Sequence, residues 1–271
     1  SRYVAYTILL VSEMGRWAGT RSFQTRSAAA VAFIIPPSFN NLGATLIIDI
    51  LYEDNHCLVV NKPAGLLSQG DQTGDLSLDA WAKNYLKETY HKPGNVYVGL
   101  IHRLDRPTSG VVLLARTSKA AGRLSEQFRA GEIAKVYWAI VEGRPSDEKG
   151  RWVDRLDKDA GRNRSRRVES HEDEGRIAEV DYRVMRTAGG RSKLELRPAT
   201  GRSHQLRVQL AERGLPIVGD RKYGASSSLA AADGHHRIAL HAHELTFTHP
   251  TQGHRLSITA PVPADWPDGW A

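Results

Sequence analysis

The chain has 271 residues, with 37 Lys and Arg against 30 Asp and Glu, a net charge of +7, and an ordinary globular balance of 41% apolar and 25% charged residues. Its basic surplus points to a polyanionic partner, nucleic acid first, and its length is enough for one large domain or two small ones. A single cysteine, Cys57, excludes an internal disulfide and a cysteine-based zinc site and fits a reducing compartment, and no apolar run reaches the length of a membrane span.

Residues 1–45 differ from the rest. A short apolar run from Tyr6 to Val11 precedes a stretch with Arg16, Arg21 and Arg26 and no acid. That composition fits a transit peptide and an upstream extension from a misassigned start equally well. The segment is expected to be peripheral and partly disordered. Two strands, Ile47 to Tyr52 and His56 to Val60, follow across the turn Glu53-Asp54-Asn55. Pro63 and Gly65 then make a turn that presents Lys62, on its own a solvated turn residue. Leu78, Trp81, Ala82, Tyr85 and Leu86 form a helical stripe, ended by His91-Lys92-Pro93-Gly94.

The run Val111-Val112-Leu113-Leu114-Ala115 reads as a buried strand, so residues 101–110 before it read as a loop held at the edge of a sheet. That loop carries Asp105 between Arg103 and Arg106. Two neighbouring cations favour the ionised carboxylate, which suits a nucleophile, an electrostatic anchor or a plain salt bridge. A helix capped by Ser118 is predicted to run to about Ala130, with Leu124 and Phe128 on its buried face. Lys135 to Gly143 alternates as a strand in which Tyr137 faces opposite to Trp138.

Residues 144–175 are polar, with Arg162, Arg164, Arg166 and Arg167 followed by Glu169, Glu172, Asp173 and Glu174. A self-neutralising loop and a phosphate contact are both open. Glu179 to Met185 and Lys193 to Leu196 are predicted to pair across Gly189-Gly190. Ser203 is the expected cap of a helix closed by Gly214, which sets His204 and Arg207 one turn apart. Leu240 to Pro250 and Leu256 to Ala260 make a closing hairpin, and Pro261 to Ala264 end the domain. His235, His236, His241, His243 and His249 lack a recognised ligand spacing; the alternation of His241 and His243 suits solvent-facing strand residues, and no metal is expected.

Several of these stretches share one resemblance. His102-Arg103-Leu104-Asp105 followed by Pro107-Thr108-Ser109-Gly110 resembles the signature of the RluA-type family of RNA pseudouridine synthases. The run from Tyr52 to Gly65 looks like that family's opening motif, and Lys135-x-Tyr137 like its tyrosine strand. Thr200 to Arg207, with Pro216-Ile217-Val218-Gly219-Asp220 and Tyr223-Gly224, resembles its second long signature. The likeness spans about Leu51 to Ala264. It gives three expected units: residues 1–45, a catalytic domain over 46–264 and a tail over 265–271.

The resemblance implies an α+β fold, a mixed, mainly antiparallel sheet with flanking helices and a cleft along one face. It implies isomerisation of uridine to pseudouridine in ribosomal or transfer RNA, with the target base flipped out of its stack. By resemblance Asp105 is the nucleophile, Arg207 its partner, and Tyr137 the residue that stacks on uracil and helps remove the proton at ring carbon 5. Arg103 enters the RNA stack, His102 lies beside it at the substrate, and Lys62 and Arg202 support the site or bind phosphate. No cofactor is implied. A cytoplasmic monomer without a separate small RNA-binding domain is expected. A non-catalytic RNA-binding protein of the same fold is the alternative, disfavoured because Asp105, Tyr137 and Arg207 occur together. A carboxylate-pair glycosidase would need a second acid beside Asp105.

Overall fold

The computed structural model describes residues 8–11, 29–34, 45–159, 161, 163–169, 175–229, 236–264, 266–267 and 269–270. In chain order the elements are β1 (Ile8–Val11), β2 (Ala29–Ile34), β3 (Thr45–Glu53), β4 (Cys57–Lys62), α1 (Leu78–Thr89), β5 (Gly99–Leu100) and β6 (Ser109–Ala115). Then come α2 (Ser118–Arg129), β7 (Ala134–Glu142), β8 (Lys149–Asp159), β9 (Arg164–Val168), β10 (Arg176–Ala188), β11 (Arg191–Pro198), α3 (Gln205–Ala211), β12 (Leu240–Thr248) and β13 (Arg255–Thr259).

These strands form one mixed sheet in the order β1-β2-β3-β4-β6-β12-β7-β11-β10-β8-β9, with β13 on β12 and β5 on β6. Among the described strands every pairing is antiparallel except β6 with β12, where Ser109 and Gly110 face His241 and Ala242. This short seam joins an N-terminal half-sheet to a C-terminal one. The α+β architecture expected from the sequence is the one observed. β1 and β2 pair with each other and extend the sheet at β3; the rest of residues 1–44 lies outside the described residues.

Each half has its own core. α1 buries Leu78, Trp81, Ala82, Tyr85 and Leu86 against Ile48, Leu58, Val60, Val112 and Leu114, with Trp81 and Tyr85 stacked at 5.4 Å. On the opposite face α2 packs Leu124 and Ala120 onto Val59, Leu113 and Phe247. Full burial of each such aliphatic side chain is worth about 1.5–3 kcal/mol. In the C-terminal half, Ala139, Val141, Leu194, Leu196, Leu206 and Leu210 form the centre. Trp266 and Trp270, from the segment expected to be a tail, are buried against that centre, and Lys193 sits 4.1 Å from the Trp138 ring beside them. Tyr137 packs against the cores of both halves.

Three expectations need correction. Thr117, not Ser118, caps α2, its side chain accepting from the Ala120 N–H at 3.2 Å; Ser118 is already the first helical residue. Ser203 does not cap α3: the cap position is His204, in the left-handed region at φ 52 and without a side-chain cap. Most of the described residues of 144–175 form no loop but the hairpin strands β8 and β9, and β8 pairs in turn with β10. Polar residues hide strands here because one face of the hairpin is open to water, and only Leu156, Val168, Ala178 and their neighbours mark the buried side.

Gly110 shows how tightly the seam is drawn. It adopts φ 119, and a Cβ placed there would lie 2.6 Å from the Ala242 nitrogen and 2.7 Å from its carbonyl carbon. Both are backbone atoms that cannot rotate away. Gly110→Ala is therefore expected to destabilise the fold by at least about 3 kcal/mol, from overpacking plus backbone strain. Urea unfolding of the variant beside Gly122→Ala, a helix glycine with open space around it, checks this.

Candidate active site

The loop before β6 is fastened from below. The Lys62 ammonium is fully buried and donates to the carbonyls of Pro63 (2.9 Å), Leu66 (2.8 Å) and Arg106 (3.3 Å). Ser68 brackets Leu104, accepting its N–H at 3.1 Å and donating to its carbonyl at 2.7 Å. Gly65 donates to Arg106 at 2.8 Å, and the Arg106 guanidinium returns to the Gly65 carbonyl at 2.9 Å and pairs with Asp75 at 2.8 Å. Asp105 is thereby presented on a scaffold with little freedom. Burial pushes Lys62 down to about 7, although three carbonyl acceptors call for the three donors of the charged form. Of the two roles open to Lys62 from sequence, burial favours support of this loop over phosphate binding.

From the other half-sheet, α3 brings Arg207 across the seam. Its Nη1 donates to Asp105 Oδ2 at 2.9 Å, while Nε and Nη2 grip Asp220 at 2.6 and 2.8 Å. The guanidinium side chain is 5% exposed, Asp220 is fully buried, and Asp105 is 28% exposed at the cleft. Burial opposes the guanidinium charge, but Asp220 and Asp105 more than offset it and raise Arg207 above its ordinary value. Among the described residues no hydrogen bond or ion pair is made to Asp105 Oδ1, and Asp105 lines the cleft. His204 Nε2 lies 3.8 Å from Oδ2, and its Nδ1 is 2.7 Å from the Tyr223 hydroxyl. Burial holds the His204 imidazole below its ordinary value.

Tyr137, on β7, lines the same recess of about 120 Å³ as Asp105, Arg207, Leu104, Leu206 and Leu240. Burial, and secondarily the Asp105 charge, raise its phenol well above the usual range, so it stays protonated at neutral pH. The recess opens into a cleft of about 1050 Å³ whose rim carries Arg103, Arg202, Lys158 and Lys222. Arg103 is exposed and has no ion-pair partner among the described residues. Arg202 gives its Nε to the Ile177 carbonyl at 2.9 Å and is otherwise free to face the cleft. In the β8–β9 hairpin Arg166 and Arg167 lie 3.7 and 3.4 Å from Asp157 and Asp154, while Arg164 lies over the Tyr223 ring at 5.2 Å. Arg162, Glu172, Asp173 and Glu174 lie outside the described residues.

Sequence reasoning overlooked what stands behind Arg207. Asp220 and Tyr223 were legible only as parts of a motif, with no role attached, and Ser68 carried no signal. Three histidines have structural partners. His102 accepts the Leu113 N–H at 2.9 Å and stacks on Phe128 at 4.9 Å, so it closes the edge of β6. His241 is fully buried, accepting from or donating to Ser109 at 2.9 Å across the seam, and His243 stacks on Trp138 at 3.6 Å; the alternation is not solvent-facing. Asp54, Cys57 and His249 bring three ligand-type atoms within 4.8 Å. Their capacity is spent, however: Asp54 accepts from the backbone of His56 and Cys57 and meets His249 at 2.7 Å, and His249 Nδ1 accepts from Gln252. His235 lies outside the described residues.

A carboxylate tethered by a buried guanidinium shares its recess with a phenol, below a cation-lined cleft, an arrangement chemically suited to nucleophilic attack on a polyanionic substrate. A model of the family described as RNA pseudouridylate synthase matches residues 56–212. The dual-specificity RNA pseudouridine synthase RluA of Salmonella typhimurium is 40% identical over 218 residues, which cover 80% of this chain and 93% of that protein. Ribosomal large subunit pseudouridine synthase D of Xanthomonas campestris is 37% identical over 232 residues, 80% of this chain and 67% of that one. Among solved structures, human RNA pseudouridylate synthase domain containing 4 superposes with a TM-score of 0.65 at 26% identity, over 79% of this chain and 88% of that chain. The chain belongs to the RNA pseudouridylate synthase family, in its RluA-type branch.

Burial, with a smaller contribution from Lys135, holds the His102 imidazole down to about 3, against about 6.5 in an unfolded chain. A base with a depressed folded value stabilises fully above the unfolded one and loses that contribution as pH falls from about 6.5 towards 3. His102→Gln is expected to flatten this acid limb by up to about 1.4 kcal/mol per pH unit. Urea midpoints of both proteins across that range measure it.

Proposed function

We propose that this chain converts uridine to pseudouridine in structured ribosomal or transfer RNA, with Asp105 as the nucleophile. The observation that carries the reading is the 2.9 Å pair between Asp105 and Arg207 at the recess that Tyr137 also lines. The bond from ribose to ring nitrogen breaks, ribose is rejoined to ring carbon 5, and the proton leaving carbon 5 is balanced by one gained at the freed nitrogen. No oxidation state changes. The recess lies below the cleft surface, so the target nucleotide has to leave its stack to reach it. Arg103, exposed and without an ion-pair partner among the described residues, is suited to take the space the nucleotide vacates.

Each group then has a physical task. Arg207 fixes Oδ2 and leaves Oδ1 to attack. Tyr137 offers its ring as a stacking surface for uracil. Its phenol is kept protonated in part by the Asp105 charge, an influence that weakens while the carboxylate is covalently engaged, and the proton-transfer role belongs to that stage. The names of the relatives, one dual-specificity and one acting on the large ribosomal subunit, support structured RNA as the substrate class. The site is complete within one chain, which favours a monomer, and the reading places the protein with its RNA in the cytoplasm. Among the described residues no helix is long and apolar enough to cross a membrane.

Two outcomes are expected. Asp105→Asn abolishes pseudouridine formation while RNA affinity and the unfolding midpoint stay close to wild type; pseudouridine mapping of RNA from a deletion strain complemented with either form reads the activity and identifies the target. Turnover by Asp105→Asn would refute the assignment. Arg202→Gln, which removes a rim cation, lowers affinity about equally for all RNA sequences and reduces the slope of log K against log salt by about 1. Filter binding at several salt concentrations checks it.

A further inference from the structure

Asp105 has a second neighbour besides Arg207. His204 Nε2 lies 3.8 Å from the same oxygen, Oδ2. Behind the imidazole, the Tyr223 hydroxyl lies 2.7 Å from Nδ1, and that hydroxyl already accepts the Ser165 backbone N–H at 3.0 Å. A phenol has one hydrogen to give. With Ser165 donating to its oxygen, the Tyr223 hydrogen is directed at Nδ1, which becomes the acceptor. The proton of the neutral ring is then on Nε2, facing Asp105.

The surroundings keep the ring neutral and in place. Burial is the largest influence; Arg207 and Lys222 act with it, and Asp105 and Asp220 against it. Tyr223 meets the imidazole edge-on, its ring centre 5.7 Å away at 83°. His204 holds a left-handed backbone at φ 52, a conformation uncommon outside glycine and asparagine and concentrated at functional sites.

We propose that His204 is a positioning residue for the nucleophile: its Nε2–H, oriented by Tyr223, marks Oδ2 as the tethered oxygen and leaves Oδ1 to attack. The inference rests on Asp105 being the nucleophile. At 3.8 Å the contact is long in the free protein and tightens when RNA fills the cleft, as catalytic hydrogen bonds commonly do. Ser165 belongs to β9, so the aim of the nucleophile originates in the arginine-bearing hairpin.

The test compares wild type, His204→Ala, His204→Gln, Tyr223→Phe and the His204→Ala/Tyr223→Phe double variant on unmodified ribosomal and transfer RNA transcripts. RNA affinity is measured in parallel, and imidazole nitrogen shifts report the His204 tautomer. The alanine and phenylalanine variants should lose up to about 100-fold in kcat at unchanged RNA affinity, as expected of a misplaced reacting group. His204→Gln, which keeps an N–H donor, should recover part of that loss, and the double variant should be no slower than His204→Ala. The free wild-type protein should carry its imidazole proton on Nε2. Multiplicative losses in the double variant, equal losses for alanine and glutamine, or a proton on Nδ1 would each overturn the proposal. A wild type that forms no pseudouridine would refute the proposed function instead, and the tautomer would still decide the arrangement of His204.

Discussion

Arg207 is the group on which the rest of this site depends. Its guanidinium is nearly sealed from water, yet every edge of its fork is used: two nitrogens on Asp220 and the third on Asp105. An arginine at this depth is tolerable chiefly because the fully buried Asp220 faces it at two points; removing that partner would typically cost about 3–5 kcal/mol. The planar fork is also what makes Asp220 useful. Gripped at two points by a fully buried acid, the guanidinium cannot swivel, and Asp105 inherits that fixity. The Tyr223 ring, 5.0 Å from the guanidinium carbon, closes the remaining side.

The opposing half of the molecule contributes a comparable fixity by different means. Lys62, Ser68 and Arg106 tie the 101–108 loop to the turn after β4 through carbonyls and amides. Cations line the cleft at Arg103, Arg202, Lys158 and Lys222, while the charges further in are paired. This gradient lets an ordinary basic surface surround a carboxylate without the two cancelling.

What the sequence disclosed followed from how much local chemistry each stretch carries. The β6 run was legible because five consecutive apolar residues have few other uses, and Asp105, Tyr137 and Arg207 were legible because their neighbours spell extended signatures. The β8–β9 hairpin was hidden: Arg151, Arg155, Arg164 and Arg166 are exposed, so burial leaves only a faint alternation. Lys62 and His241 read as surface residues by type, and only the pairing of β4, β6 and β12 buries them. Asp220 and Tyr223 were invisible as site residues for a related reason. Their task is set by Arg207 and His204, whose positions depend on a helix cap no residue propensity announced.

The two-residue parallel contact between β6 and β12 has an implication for how such an enzyme fails. The acid is carried by one half-sheet, the guanidinium and phenol by the other, and beyond the two-residue contact the halves are joined by Leu245 and Phe247 of β12 packing under α2. A small displacement of one half against the other would separate Asp105 from Arg207 while most strand pairing persists, a change that circular dichroism would not register.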